Sequence, residues 1–261
     1  MASSLIGGLI ADSFDPAKIS VIEINAEKRE RLSNSFGVRT FEKLDDAIDH
    51  HDVVVFCIKP QQFKEVAITA GKLISKDSLV LSIAAGIRTS DISKWLGGDY
   101  AIVRAMSNTP ALVQSGASAL YANSRVSEEQ RNNAESLLRA AGIVEWVDDE
   151  TMIDIVTALS GSGPAYFFRI MEGLISGAEK LGLPHNVAHL LTLQTMLGAA
   201  KMALESQEDI ATLRENVTSP GGTTEQGLAV MNDNDIDGLL LKILTAARQR
   251  ATELADKLGE E

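Results

Sequence analysis

Short apolar runs alternate with amphipathic stretches along the first half of the chain. Runs rich in β-branched and aliphatic residues at 19–24 (ISVIEI), 37–41 (GVRTF), 53–58 (VVVFCI), 79–84 (LVLSIA), 100–105 (YAIVRA), 116–121 (GASALY) and 143–147 (IVEWV) predict strands. Their alternation with helical patterns is the mark of βαβ units and a parallel sheet. VVVFCI and LVLSIA are apolar on both faces, which predicts central strands covered by helices on each side. Between the strands, 25–35 opens on Asn25 with Lys28 three positions on, and 127–140 opens on Ser127 with Gln130 at the capping-box position. Both are helix starts. After about Glu150 the strand pattern ends. Residues 164–181, with Pro164 at the first helical position and Gly182 past the end, then 185–205, 208–216, 222–232 and 236–258, read as Ala/Leu-rich helices. The expected division is 1–149, α/β, and 150–261, all-helical.

The helices of the second half carry apolar residues on more than one face, among them Leu190, Leu191, Leu193, Met196 and Leu197. A homo-oligomer interface, a dimer or an assembly of dimers, is the economical reading. Leu181 to Ala200 is uncharged over about the length of a membrane span, but it contains Pro184, His185, Asn186, His189 and Gln194. Those groups are expensive in hydrocarbon and ordinary in a soluble helix, so no membrane is expected.

The composition, 45% apolar and 23% charged, is that of a globular protein. With 24 Lys and Arg against 36 Asp and Glu the chain carries a net charge of −12, which repels phosphate backbones and argues against a nucleic-acid partner. One cysteine, Cys57, forms no intrachain disulfide. The opening MASSLIGGLIAD has neither the basic region nor the cleavage pattern of a leader. Cytoplasm is the expected compartment.

Four stretches are candidates for chemistry. Val217-Thr218-Ser219-Pro220-Gly221-Gly222-Thr223-Thr224, followed by a helical pattern, has the form of an anion cradle: a tight glycine turn and then the free N–H groups of a helix start, with the Ser219 and Thr224 hydroxyls beside them. It reads equally as a plain helix–helix turn capped by Thr223 or Thr224. Ser160-Gly161-Ser162-Gly163-Pro164 permits close approach of a ligand or of another helix. Arg104-Ala105-Met106-Ser107-Asn108-Thr109-Pro110 ends a strand where open α/β sheets bind ligands, although Asn108 also suits a turn. Cys57-Ile58-Lys59-Pro60 ends another strand, and Lys59 can reach a phosphate or stay solvated. His185 and His189 stand one helical turn apart without an evident third ligand, so no metal is expected. No Ser/His/Asp order, CxxC pair or Walker loop is present.

RAMSNTP, TALSGSGPAY and VTSPGGTT, in this order, resemble pyrroline-5-carboxylate reductase, and the resemblance runs over essentially the whole chain. It implies a Rossmann-like N-terminal domain, an all-helical C-terminal dimerisation domain, and NADPH- or NADH-dependent reduction of 1-pyrroline-5-carboxylate to L-proline in a pocket formed between subunits. By the same resemblance, Ser219 and the turn Gly221-Gly222-Thr223-Thr224 would hold the substrate carboxylate, and the Thr224 hydroxyl would face the imine nitrogen as the catalytic group. Asn216 would touch both substrate and cofactor, and Glu150 would lie on the substrate's ammonium side. Met1, Cys57, Ile58, Lys59, Pro60, Ile83, Ala84, Ala85 and Asn108 would line the dinucleotide. Glu23, ending the second strand of such a domain, would accept from the adenosine ribose and favour NADH at least as well as NADPH.

The sequence departs from the family pattern in three places. Met1-Ala2-Ser3-Ser4-Leu5 matches just after the Gly-x-Gly-x-x turn, so the first strand and phosphate-binding glycines of that pattern are not in this sequence. This implies a start assigned at an internal methionine, or a damaged form. Ser107 stands where the family usually has proline, and Leu44 where many members carry asparagine near the adenosine. Two rival readings follow. A β-hydroxyacid dehydrogenase would need a lysine in the first interdomain helix, where 164–178 offers Arg169 instead. The missing glycines also permit an inactive, cofactor-free oligomer.

Overall fold

The computed structural model describes residues 1–47 and 51–260. The chain divides into two compact units, Met1–Pro164 with Ala246–Glu261, and Ala165–Thr245. Seven strands form among the described residues of the first unit, one in each expected run: β1 (Ser20–Ile22), β2 (Arg39–Phe41), β3 (Val53–Phe56), β4 (Leu79–Ser82), β5 (Ala101–Met106), β6 (Gly116–Ala122) and β7 (Gly142–Trp146). β1 and β2 pair in parallel as a separate sheet, and the other five lie in the order β3-β4-β5-β6-β7. The orders β2-β1 and β3-β4-β5 are those of the 3-2 and 4-5-6 strands of a doubly wound sheet, and β6 and β7 extend the second group.

Two expectations change here. β3, expected to be central, is the edge of the five-stranded sheet and among the described residues pairs only with β4; Val55 on it is 36% exposed. An apolar run reports that both faces of a strand are covered; it carries no information about how many edges are paired. β4, by contrast, is buried throughout and is central. The expected parallel sheet is also broken at β6, which runs antiparallel to β5. The connection 107–115 contains only a 3₁₀ turn, Thr109–Val113, and is shorter than the dozen or so residues that a parallel crossover needs.

Helices α1 (Ala2–Ala11), α2 (Ala26–Phe36), α3 (Pro60–Ala70), α4 (Thr89–Leu96), α5 (Glu128–Arg139) and α6 (Met152–Val156) belong to this unit. Side chains alternate across the sheet. Phe56, Val80 and Ile102 enter one core with Phe63, Ile92 and Trp95 of α3 and α4. Leu79, Leu81 and Val103 enter the other with Leu5 of α1 and Ala134 and Leu138 of α5. Local chemistry sets the helix ends. Asn25 Oδ1 accepts from Lys28 N at 2.9 Å, Gly37 closes α2 at φ +67°, and Ser127 and Gln130 form the expected capping box.

Strands end at Trp146, but packing does not divide there. α6 and the π-helical turn Thr157–Gly161 belong to the first unit, as do the last turns of the final helix. Ile153, Asp154 and Ala158 are buried within it.

The second unit takes in α7 (Gly163–Lys180) from Ala165 on, α8 (His185–Glu205), α9 (Ile210–Asn216), α10 (Thr223–Asp233) and α11 (Ile236–Glu260) up to Thr245. Among its described residues only Ala188 is fully buried, while Phe167, Phe168, Leu190, Leu191, Leu197 and Leu241 are all more than half exposed. That much open apolar surface marks a face made for another protein surface. α8 is long and apolar enough to cross a membrane by length and composition alone.

Gly142 sits at φ +148°, and a Cβ there would lie 2.0 Å from the Gly116 carbonyl oxygen. Gly142→Ala is expected to lower stability by about 1–3 kcal/mol. The check is the urea midpoint at fixed protein concentration; an unchanged midpoint would mean that the β6–β7 pair can move apart freely.

Candidate active site

The C-terminal ends of parallel strands β3 and β4 open onto two loops. After β3, Cys57 and Ile58 are half-buried and Lys59 is exposed, and Pro60 starts α3, where its missing N–H costs nothing. After β4, the Ile83 N–H donates to the Phe56 carbonyl at 3.3 Å and the Ala84 N–H to Ser82 Oγ at 3.3 Å. Ala85 is exposed, and Gly86 turns at φ +73° under Leu258 and Ala255 of α11. The Met1 α-ammonium is near enough to the Cys57 thiol to act on its titration. Small side chains, a Lys59 ammonium with no ion pair among the described residues and a helix start at Pro60 fit an extended anionic ligand such as a dinucleotide.

At the end of β1, Glu23 Oε1 accepts from the Asn25 N–H at 2.9 Å. Arg29 reaches back from α2, donating to the Glu23 carbonyl at 2.8 Å and the Ile24 carbonyl at 2.9 Å, and pairs with Glu42 at 3.2 Å. A carboxylate and a guanidinium therefore stand together there.

Asn108 follows β5, and its side-chain amide is occupied within the protein: Nδ2 donates to the Ser160 carbonyl at 3.1 Å, and Oδ1 accepts from the Ala117 N–H at 2.9 Å. This joins the RAMSNTP and SGSGPA stretches, and the glycine of the latter lies close against Met106, whose Cε would be 2.3 Å from a Cβ at Gly161. Close packing, rather than ligand approach, accounts for that glycine.

Arg104, on β5, is a charge that sequence reasoning quoted without a role. Its side chain is 3% exposed and bonds Glu150 Oε1 and Asp154 Oδ1, each at 3.2 Å. Glu150 also accepts from the Thr89 N–H at 2.8 Å and the Thr89 hydroxyl at 2.7 Å, and Asp154 accepts from the Thr252 hydroxyl at 2.9 Å. An arginine in an otherwise apolar strand is the signal that was available, because such a charge needs buried partners.

In the second unit, Gly221 adopts φ +71° and Gly222 caps α10 with its N–H on the Ser219 carbonyl at 2.9 Å. The Gly221 N–H donates to Glu225 Oε2 at 2.8 Å, so the turn already holds a carboxylate. The N–H groups of Thr223 and Thr224, in the first turn of α10, have no hydrogen-bond partner among the described residues, and Ser219, Thr223 and Thr224 are exposed. Asn216, at the end of α9, donates to Glu208 Oε2 at 3.0 Å. His185 bonds Glu179 at 2.6 Å, and no group of three metal-ligating side chains is found among the described residues.

Two family models match the chain: NADP oxidoreductase, coenzyme F420-dependent, over residues 1–86, and pyrroline-5-carboxylate reductase dimerisation over 150–254. The chain is 46% identical over 260 residues to the pyrroline-5-carboxylate reductase of Pseudomonas aeruginosa, covering 100% of this chain and 95% of that one. It is similar to the solved structure of a pyrroline-5-carboxylate reductase from Coxiella burnetii, with 46% identity, a TM-score of 0.95, and coverage of 97% of this chain and 94% of that one. It is also similar to a pyrroline carboxylate reductase from Plasmodium falciparum solved with NADP bound, with 25% identity, a TM-score of 0.84 and the same coverage.

Burial pushes the Cys57 thiol up to about 11, and the Met1 α-ammonium only partly offsets this. At pH 8 roughly one thiol in a thousand is then ionised. Native protein is expected to react with a disulfide reagent at least about 100-fold more slowly than unfolded protein, with the rate rising through pH 9. Equal native and unfolded rates would show an accessible thiolate.

Proposed function

The chain belongs to the pyrroline-5-carboxylate reductase family and is an NAD(P)H-dependent oxidoreductase, and from that premise we propose how its own residues carry out the reduction of 1-pyrroline-5-carboxylate to L-proline. The observation that carries the reading is the turn before α10: two adjacent backbone N–H groups, on Thr223 and Thr224, lack a partner among the described residues beside a third, on Gly221, that already binds a carboxylate. A substrate carboxylate takes those two N–H groups and the Ser219 hydroxyl.

Held in this way, the ring presents its imine nitrogen to the Thr224 hydroxyl. NAD(P)H, when bound, would supply the hydride for the imine carbon. The Thr224 hydroxyl donates a hydrogen bond to the nitrogen as the C=N π pair moves onto it, and a proton from water completes the N–H bond. A neutral donor suffices because orientation supplies much of the acceleration. Asn216, one turn before the cradle, contributes a side-chain amide to the same end of the unit. Met1, Cys57, Ile58, Lys59, Pro60, Ile83, Ala84 and Ala85 hold the dinucleotide, and Asn108 supports that end of the sheet through Ser160 and Ala117.

The dimerisation segment and the open apolar faces support a homo-oligomer in which the exposed cradle is covered by a second subunit. Cytoplasmic location is part of the same reading, supported by the single cysteine. α7 offers Arg169 where a β-hydroxyacid dehydrogenase would need a lysine.

Thr224→Ala is expected to retain NADPH binding and lower turnover of pyrroline-5-carboxylate by about 10- to 1,000-fold, the range of one positioned donor. Near-normal turnover would remove Thr224 from the mechanism, and wild type with no turnover would leave the inactive oligomer. At the adenosine end, Glu23 opposes a 2′-phosphate while Arg29 beside it attracts one. Wild type is expected to use NADH at least as well as NADPH, and Glu23→Ser to shift the kcat/KM ratio toward NADPH by roughly tenfold. A strong wild-type preference for NADPH that the variant leaves unchanged would place discrimination elsewhere.

A further inference from the structure

The loop 83–88 joins β4 to α4 and is part of the surface assigned above to the dinucleotide. Its β4 end is fixed by sheet bonding. Its α4 end has no local cap, because Arg88 occupies the N-cap position without a side-chain hydrogen bond to the helix. The cap comes instead from Glu150, 61 residues away, whose carboxylate takes both the N–H and the hydroxyl of Thr89. A carboxylate at a helix start satisfies free N–H groups and suits the helix dipole.

Glu150 is in turn held. Arg104 bonds it and Asp154 together, and Asp154 Oδ2 accepts from the Thr252 hydroxyl on α11. A second strap runs alongside: Arg88 Nη2 donates to Asp256 Oδ1 at 2.6 Å, and Leu258 and Ala255 close over Gly86. Segments near residues 88, 152 and 254 are thereby joined by directed bonds through one buried cation. An apolar packing of equal volume is often as stable as a buried ion network but does not fix these angles.

We propose that Thr252, Asp154, Arg104 and Glu150 form a relay of positioning residues that runs from the last helix to the start of α4 and sets the conformation of the dinucleotide-binding loop. The inference rests on the assignment of Ile83, Ala84 and Ala85 to the cofactor. It also changes the role of Glu150. Both of its oxygens are occupied by Thr89 and Arg104, so it acts through the loop and not on the substrate's ammonium side.

The test is Thr252→Val, which keeps the shape and removes the hydroxyl, beside Thr252→Ser, which restores it. NADPH affinity is measured by calorimetry without substrate, KM for NADPH and for pyrroline-5-carboxylate by steady-state kinetics, and amide exchange over 83–92 by mass spectrometry. Thr252→Val is expected to weaken NADPH binding by about 5- to 20-fold, the range for residues that touch neither ligand, with KM for pyrroline-5-carboxylate changed less than about twofold. Exchange in 83–92 rises, and Thr252→Ser returns both to near wild type. Glu150→Gln follows the same pattern. If wild type binds NADPH and Thr252→Val binds it equally well, the relay is overturned and the family reading stands. If wild type binds no NADPH, the loop assignment falls and the relay with it. A Glu150→Gln variant that raises KM for pyrroline-5-carboxylate alone returns Glu150 to the substrate.

Discussion

Arg104 is a cation fixed inside a sheet, and much of the first unit is arranged around the need to neutralise it. One guanidinium faces two carboxylates, and removing either from such a buried group typically costs about 3–5 kcal/mol, a large share of a domain's stability. Glu150 and Asp154 stand four residues apart, so one helical turn brings both to the same side, toward β5. The turn at Glu150 and the helix that follows from Met152 thus bring both carboxylates to Arg104. The carboxylate oxygens left over from Arg104 are then taken by Thr89 and Thr252, so that a charge in the sheet organises a helix start and a helix end.

What the sequence made legible follows the range of the forces involved. Strands, caps and the glycine turn before α10 are set by neighbours within a few positions, and they fell where periodicity, Asn25, Ser127 and Gly221 put them. Anion capacity at Ser219–Thr224 was readable as a local form, and a plain helix–helix turn fits the same residues. Pairing is different. Nothing in VVVF records which strands lie beside it, and nothing in 246–260 records that Thr252 and Asp256 bond residues 98 and 168 positions earlier. Asn108 shows the same limit: which groups its amide bonds is set by Ser160 and Ala117.

The second unit has helices without an interior. With Ala188 alone fully buried among its described residues, its helices draw little stability from one another. Covering exposed side chains such as Phe167, Leu190 and Leu197 gives roughly 25 cal/mol for each Å² of apolar surface removed from water. Folding and association are therefore one equilibrium, and the measured stability of this unit depends on subunit concentration.

β3 has a consequence for solution behaviour that lies outside catalysis. Among the described residues its other edge pairs with no strand, and the stretch Val53-Val54-Val55-Phe56-Cys57-Ile58 has high β-propensity, no charge and no proline. Edges of this kind are templates for strand addition between molecules and for cross-β aggregation. Asp52 and Lys59 flank the stretch as charged gatekeepers, the arrangement by which natural proteins slow such growth. Salt that screens Asp52 and Lys59 weakens that protection.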